Sequence, residues 1–271
     1  MQKYSVLMTV YKEDNPEYFK KSLESMLNQT YLPDEIVLVK DGYISQELQD
    51  VIDKHNTLEI PIRQIQLKEN KGLGLALNEG LKYCRNDLVA RMDSDDFSMP
   101  TRCELQVKEF EKNSNLDIIG CPVDEFVGSI DNIVGCRKVP ATNEEIYKYA
   151  KKRDPFNHPT VMYRKSTVEK SGGYSNYRKN QDTDLWIKML TNNAICMNLQ
   201  DHVFRFRFDE DTYQKRKSWL NTKILIDIRY KAWKSGFNTF FEFVEVAGTQ
   251  FLVYILPVSF QKFIYKKILR K

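Results

Sequence analysis

The chain has 271 residues, 42% of them hydrophobic and 29% charged, with a formal net charge of +4. Those values exclude a disordered or fibrous chain and suit one large α/β domain or a domain with a small appendage. The charge is too mild to point to a nucleic-acid partner, and five widely spaced cysteines without a C-x-x-C pair signal neither a zinc site nor a disulfide framework.

Taken in chain order, the first ~120 residues alternate strand-like and helix-like segments. Residues 4–10, "YSVLMTV", read as a strand, and 16–29 as a helix with Pro at its start and an apolar stripe at Phe19, Leu23, Met26 and Leu27. "EIVLVKDG" is a short buried strand running into an Asp-Gly turn; "SQELQDVIDKH" is a helix, "IRQIQL" a strand and "GLALNEGLKYC" a helix. "DLVARM" is the next strand, followed by an acidic cluster and a helix over about 100–112. This alternation, with near-continuously apolar strands, predicts a mostly parallel sheet covered by helices on both faces. In such sheets ligands bind beyond the carboxyl ends of the strands, where strand order reverses. Asp41 and the cluster Asp93, Asp95 and Asp96 both fall there.

Beyond residue 120 the pattern is mixed. "IIGCPVDEFV" suggests a strand or two, "TNEEIYKYAKK" a helix with Thr142 and Glu145 in capping-box spacing, "HPTVMYRKS" a strand leaving His158, and "TDLWIKMLTN" a helix. From Trp219 onward the chain reads as helical and amphipathic. No run reaches the ~18 apolar residues of a membrane span. The basic tail with Lys262, Lys266, Lys267, Arg270 and Lys271 is either a helix on an anionic membrane surface or a solvated helix packed on its own domain.

Crowded carboxylates repel one another unless a cation sits among them. Asp93-Ser94-Asp95 therefore suits Mg²⁺ or Mn²⁺ on a diphosphate, against the plainer reading of a solvated turn with Asp96 capping the next helix. Asp41 suits a base or ribose contact, or an ordinary turn. Gly72 and Gly74 allow close backbone approach to a ligand beside Lys71, or tight helix packing. Asp182 and Asp184 lie at a helix start, where a capping role competes with that of general base. His158 and His202 are candidate polar contacts or structural hydrogen-bonders.

Together, "SVLMTVYKEDNPEYFKKSLESMLNQT", "PDEIVLVKDG", "LKENKGLGLALNEGLKYC", "DLVARMDSDD", "PFNHPTVMYRKS", "SGGY" and "QDTDLWIKM" resemble, in family order, the family 2 inverting glycosyltransferases of the GT-A fold, in the branch that builds capsule, O-antigen and exopolysaccharide. The resemblance implies an α/β GT-A domain over residues 1–217, with a nucleotide-binding half at about 1–115, an acceptor-binding half at about 116–217, and a helical extension over 218–271. It implies that Thr9, Tyr11, Asp41 and Lys71 hold the uracil and ribose of a UDP-sugar. Asp93 and Ser94 would contact the donor, and Asp93 and Asp95 would ligate Mn²⁺ or Mg²⁺. Asp182 would be the base that deprotonates a hydroxyl of a glycan acceptor, undecaprenyl-diphosphate-linked in this branch. His158, Arg205 and Arg207 are candidates for acceptor or phosphate contacts, with Arg216 and Lys217 as further positive charge. The site expected of such an enzyme is cytoplasmic, at the inner face of the membrane. Three departures stand out: Gln181 replaces a frequent Glu, Leu77 a usual Arg, and Phe208 or Asp209 a frequent His. The competing readings are a non-catalytic carbohydrate- or nucleotide-sugar-binding protein, a nucleotidyltransferase, and, last, a two-carboxylate glycoside hydrolase.

Overall fold

The computed structural model describes residues 1–57, 59–208 and 218–255. A seven-stranded sheet forms its centre, in the order β10-β6-β9-β4-β1-β2-β3. β1 (Tyr4–Val10) lies between β2 (Glu35–Lys40) and β4 (Leu88–Met92), parallel to both, and β3 (Ile62–Gln66) continues the parallel run beyond β2. These are the four strands expected; in β1, β2 and β4 the apolar run reflects burial on both faces, whereas β3, at the sheet edge, is only partly buried. Met8 packs on one side with Phe19, Leu23 and Val107. Leu7, its neighbour, packs on the other with Leu77, Leu185 and Trp186. Alternate side chains of a strand point to opposite faces, so one strand feeds two cores.

The helices that cover the sheet begin where local chemistry starts them. Asn15 accepts from the Glu17 and Tyr18 N–H groups, and with Pro16 in the first turn it opens α1 (Pro16–Leu27). Ser45 opens α2 (Gln46–His55) in the same way. α3 (Leu73–Leu81) and α4 (Arg102–Lys112) complete the first half. α5 (Asn143–Ala150) carries the reciprocal Thr142–Glu145 capping box that its spacing predicts.

β1 leads to β2 and β3 on one side, whereas β4 pairs on its other side, so strand order reverses at β1 and β4. The crevice beyond their carboxyl ends is where the acidic cluster emerges. β9 (Met162–Arg164) runs antiparallel to both β4 and β6 (Ile118–Gly120), and β10 (Cys196–Asn198) runs parallel to β6. The sheet is thus mostly parallel with one reversed strand. The segment leaving His158 starts as a 3₁₀ turn (His158–Thr160), passes through β9 and continues as α6 (Lys165–Lys170), where a single strand was expected.

A second sheet, in the order β5-β11-β7-β8, was not expected. It joins β5 (Phe97–Ser98), β7 (Val123–Phe126), β8 (Ile133–Arg137) and β11 (Phe204–Arg207). α7 (Gln181–Thr191) leads toward the C-terminal pair α8 (Trp219–Lys234) and α9 (Phe240–Ile255). α8 packs through Ile224, Ile228 and Ala232 against Ile187 of α7. α9 leaves Phe241, Val244, Leu252 and Ile255 exposed. Among the described residues no helix is long and apolar enough to cross a membrane. The candidates Asp209, Arg216 and Lys217 and the basic tail lie outside the described residues.

Candidate active site

The loops after β1, β2 and β4 meet at the crevice. Thr9 is half-buried near the end of β1, and Tyr11 is exposed just after it. Asp41, directly after β2, is buried, and its two carboxylate oxygens accept from the Lys71 N–H at 2.7 Å and the Gly72 N–H at 3.0 Å. Asp41 therefore shapes the loop that presents the exposed Lys71 side chain. Gly72 has φ +89°, a conformation that L side chains rarely adopt. Gly74 serves packing: a Cβ there would lie 2.7 Å from the Ser175 carbonyl oxygen and 3.2 Å from the Gln181 side chain. That close approach seats α3 against the start of α7, next to Asp182.

The acidic cluster is a group of three carboxylates, Asp93, Asp95 and Asp96, with ligand oxygens within 4.8 Å of one another. Asp93 is paired with the buried Arg91 guanidinium, and its carbonyl accepts from the Ser22 hydroxyl at 2.5 Å. Burial, followed by the charge on Asp93, pushes the Asp95 carboxyl up to about 6. Asp96 is buried, and burial followed by the charges of Asp95 and Asp93 raises its carboxyl well above the ordinary range. The reading of Asp96 as a helix cap is corrected: residue 101 is the N-cap of α4, and Asp96 Oδ1 accepts from the Arg207 N–H on β11 at 2.8 Å. Asp96 Oδ2 has no hydrogen-bond partner although it is buried. An orphaned buried carboxylate oxygen beside two further carboxylates fits an oxygen-loving divalent cation such as Mn²⁺ or Mg²⁺.

One group beside the cluster, Asp14, escaped the sequence reading. Asp14 hydrogen-bonds Ser94 and accepts from the Tyr11 N–H at 3.0 Å; burial, with Asp95 and Asp93 adding, pushes it up to about 7. Its position just past the β1 carboxyl end is the available signal, obscured by the helix that the sequence starts two residues later at Pro16. Arg91, at the strand end just before the cluster, is read from the sequence as steadying these carboxylates; it is buried, and its positive charge acts on Asp93, Asp95 and Asp96 and also on His158 and Asp182. Arg207 braces the cluster from the second sheet, its Nε donating to the Asp95 carbonyl at 2.9 Å and its guanidinium 3.6 Å from the Tyr18 ring centroid. Arg205 does not join it: its guanidinium is paired with Asp124, which leaves Arg207 as the β11 arginine at the crevice. Phe208 is buried.

Asp182 stands in the first turn of α7. Its side chain is 25% exposed, enough to meet a ligand. Burial, then the charge on Asp154, pushes its carboxyl up to about 6, against backbone N–H groups and Arg91 that favour the ionised form. Asp154 is itself held by the Thr183 hydroxyl at 2.7 Å. His158 Nδ1 lies 3.9 Å from Asp182 Oδ2, and His158 Nε2 is 3.0 Å from the Tyr174 hydroxyl. Burial and Arg91 lower His158 well below its ordinary value, so it is neutral at pH 7. The imidazole sits against Trp186, edge to face with centroids 5.7 Å apart. His158 is therefore placed beside Asp182 rather than on the open surface. Asp184 turns away and pairs with Lys188 at 2.5 Å. A raised, partly exposed carboxylate and a metal-competent acidic cluster thus both feel the charge of one buried arginine.

The profile described as "Glycosyl transferase family 2" matches residues 5–172. The chain is 35% identical to the UDP-Gal:alpha-D-GlcNAc-diphosphoundecaprenol beta-1,3-galactosyltransferase of Escherichia coli, over 99% of this chain and 97% of that one. It is 32% identical to the amylovoran biosynthesis glycosyltransferase AmsE of Erwinia amylovora, over 97% and 98% of the two chains. Among solved structures, S. aureus TarS 1-349 in complex with UDP-GlcNAc superposes with a TM-score of 0.66 at 18% identity, over 98% of this chain and 73% of that one. The mannosyltransferase PcManGT from Pyrobaculum calidifontis, in complex with GDP-Man and Mn²⁺, does so with a TM-score of 0.63 at 15% identity, over 86% and 64%. With its mixed sheet, its strand-order reversal and its acidic cluster at that point, the chain belongs to glycosyl transferase family 2 and has the GT-A fold.

Proposed function

We propose that this glycosyltransferase moves a hexose or N-acetylhexosamine from a UDP-sugar to a hydroxyl of a glycan acceptor carried on undecaprenyl diphosphate, with inversion at the anomeric carbon. The observation that carries the reading is that the charge of one buried arginine, Arg91, acts on both Asp182 and the Asp93–Asp96 cluster. A donor diphosphate over the cluster leaves its sugar facing a base. Asp93, Asp95 and Asp96 would hold Mn²⁺ or Mg²⁺, which neutralises charge on a departing diphosphate when bound. Thr9, Tyr11, Asp41 and Lys71 line the side where uracil and ribose would lie. Asp182 takes the proton of the acceptor hydroxyl as that oxygen forms its bond to the anomeric carbon. The bond from that carbon to the diphosphate oxygen breaks with its electron pair on UDP. His158, neutral and backed by Tyr174, lies beside the carboxylate at 3.9 Å and packs the wall of the pocket behind it. The Escherichia coli relative supports a lipid-diphosphate acceptor, and its name specifies UDP-Gal as donor.

Turnover with a panel of UDP-sugars, Mn²⁺ and a lipid-diphosphate-linked GlcNAc acceptor tests this. One UDP-sugar is expected to yield glycosylated acceptor and stoichiometric UDP; a site that turns over none of them sinks the reading.

The exposed apolar residues of α9, with the basic tail that follows in sequence, support docking on an anionic membrane surface. Deleting the residues after Pro257 is expected to reduce cosedimentation with anionic vesicles and leave activity on a soluble acceptor intact. Unchanged cosedimentation of the shortened chain contradicts the anchor.

A further inference from the structure

We infer that the second sheet carries a transition-metal site, suited to Zn²⁺ and chemically distinct from the acidic cluster, formed by Asp124, Cys136 and His202. Their ligand atoms lie within 4.8 Å of one another. Asp124 on β7 and Cys136 on β8 are direct cross-strand partners, so the pair is fixed by the antiparallel register. His202 arrives from the segment leading into β11, which pairs with β7 on its other side. His202 Nδ1 is 2.5 Å from Asp124 Oδ1 and 3.9 Å from Cys136 Sγ.

Tetrahedral zinc with bonds of roughly 2.0 to 2.3 Å separates its ligand atoms by roughly 3.3 to 3.6 Å. The sulfur need move little; the imidazole and carboxylate, now hydrogen-bonded, must part by under about 1 Å around the ion. Asp124 Oδ2 is held by Arg205, which leaves Oδ1 facing the ion and orients the carboxylate, as outer partners of metal ligands do. The half-exposed imidazole keeps its remaining proton on Nε2 in contact with solvent. A thiol binds a metal as its thiolate, so binding releases the Cys136 proton.

Thiolate and imidazole select Zn²⁺ over Mg²⁺ and Mn²⁺, the reverse of an all-oxygen cluster. Three protein ligands leave a fourth position for water. The ion would tie β7 and β8 to the approach to β11, the strand whose Arg207 braces Asp95 and Asp96.

Metal-stripped, reduced protein titrated anaerobically with Co²⁺ tests the site without reference to activity or donor. Wild type and Asp95→Ala are expected to develop the near-ultraviolet thiolate-to-cobalt band at one equivalent, and Zn²⁺ to abolish it. Cys136→Ser and His202→Ala are each expected to lose it. A wild-type titration without that band overturns the assignment, as does a band that survives either substitution; the three side chains would then form only an ion-pair network with Arg205.

Discussion

Asp182→Asn is expected to lower kcat by about 10²- to 10⁴-fold, the range for removing a positioned general base, with donor affinity unchanged. The substitution keeps the shape and removes only the ability to take a proton. Asp182 must be ionised to act, and it is protonated below its pKa of about 6. The wild-type rate is therefore expected to fall roughly tenfold per pH unit below that value and to level off above it. The charged and titratable groups facing Asp182 are Asp154, Arg91 and His158. Asp154 raises the pKa and Arg91 lowers it, and burial disfavours the charged form of His158. Asp95 and Asp14, raised to about 6 and about 7, titrate in the same window, so the limb belongs to Asp182 where it persists at saturating Mn²⁺ and is absent from the residual rate of Asp182→Asn. Asp182→Asn retaining a large fraction of the wild-type kcat would remove the residue from the chemistry.

Asp95→Ala is expected to abolish Mn²⁺-dependent stabilisation by UDP. A ligand bound only by the native state, at 100 times its Kd, adds about 2.7 kcal/mol of apparent stability. For a chain of this size that corresponds to a rise in Tm of roughly 5 to 10 °C. The variant should not simply unfold: Asp95 is exposed at the surface of the cluster beside two like charges, so its removal empties no core and relieves repulsion felt by Asp96. The expected pattern is an unchanged or raised Tm without ligand and no further rise with UDP and Mn²⁺. A shift as large in Asp95→Ala as in wild type would place the diphosphate elsewhere.

Much of the crevice at the ends of β1, β2 and β4 is legible in the sequence, because its signals are local. Buried parallel strands read as apolar runs, Asn15-Pro16 and Ser45 announce their helices, and strand ends locate Asp41 and Asp93. The second sheet is not legible for a physical reason: β8 is partly exposed on both faces and β5 is two residues long, so neither shows alternation or an apolar run. Contacts between distant residues are likewise invisible. Asp96 meets the Arg207 backbone across 111 positions, and His158 meets Asp182 across a stretch that includes β9 and α6. Arg91 is legible as a neighbour of the acidic cluster, but its influence on the distant Asp182 and His158 appears only in the assembled sheet. Asp14 was hidden by the helix start beside it.

The configuration at the anomeric carbon of the product, read by NMR from the coupling across the new glycosidic bond, tests the central claim most directly. A single displacement by a hydroxyl that Asp182 deprotonates predicts a β linkage from an α-linked UDP-sugar. An α linkage would require retention and would contradict the role assigned to Asp182.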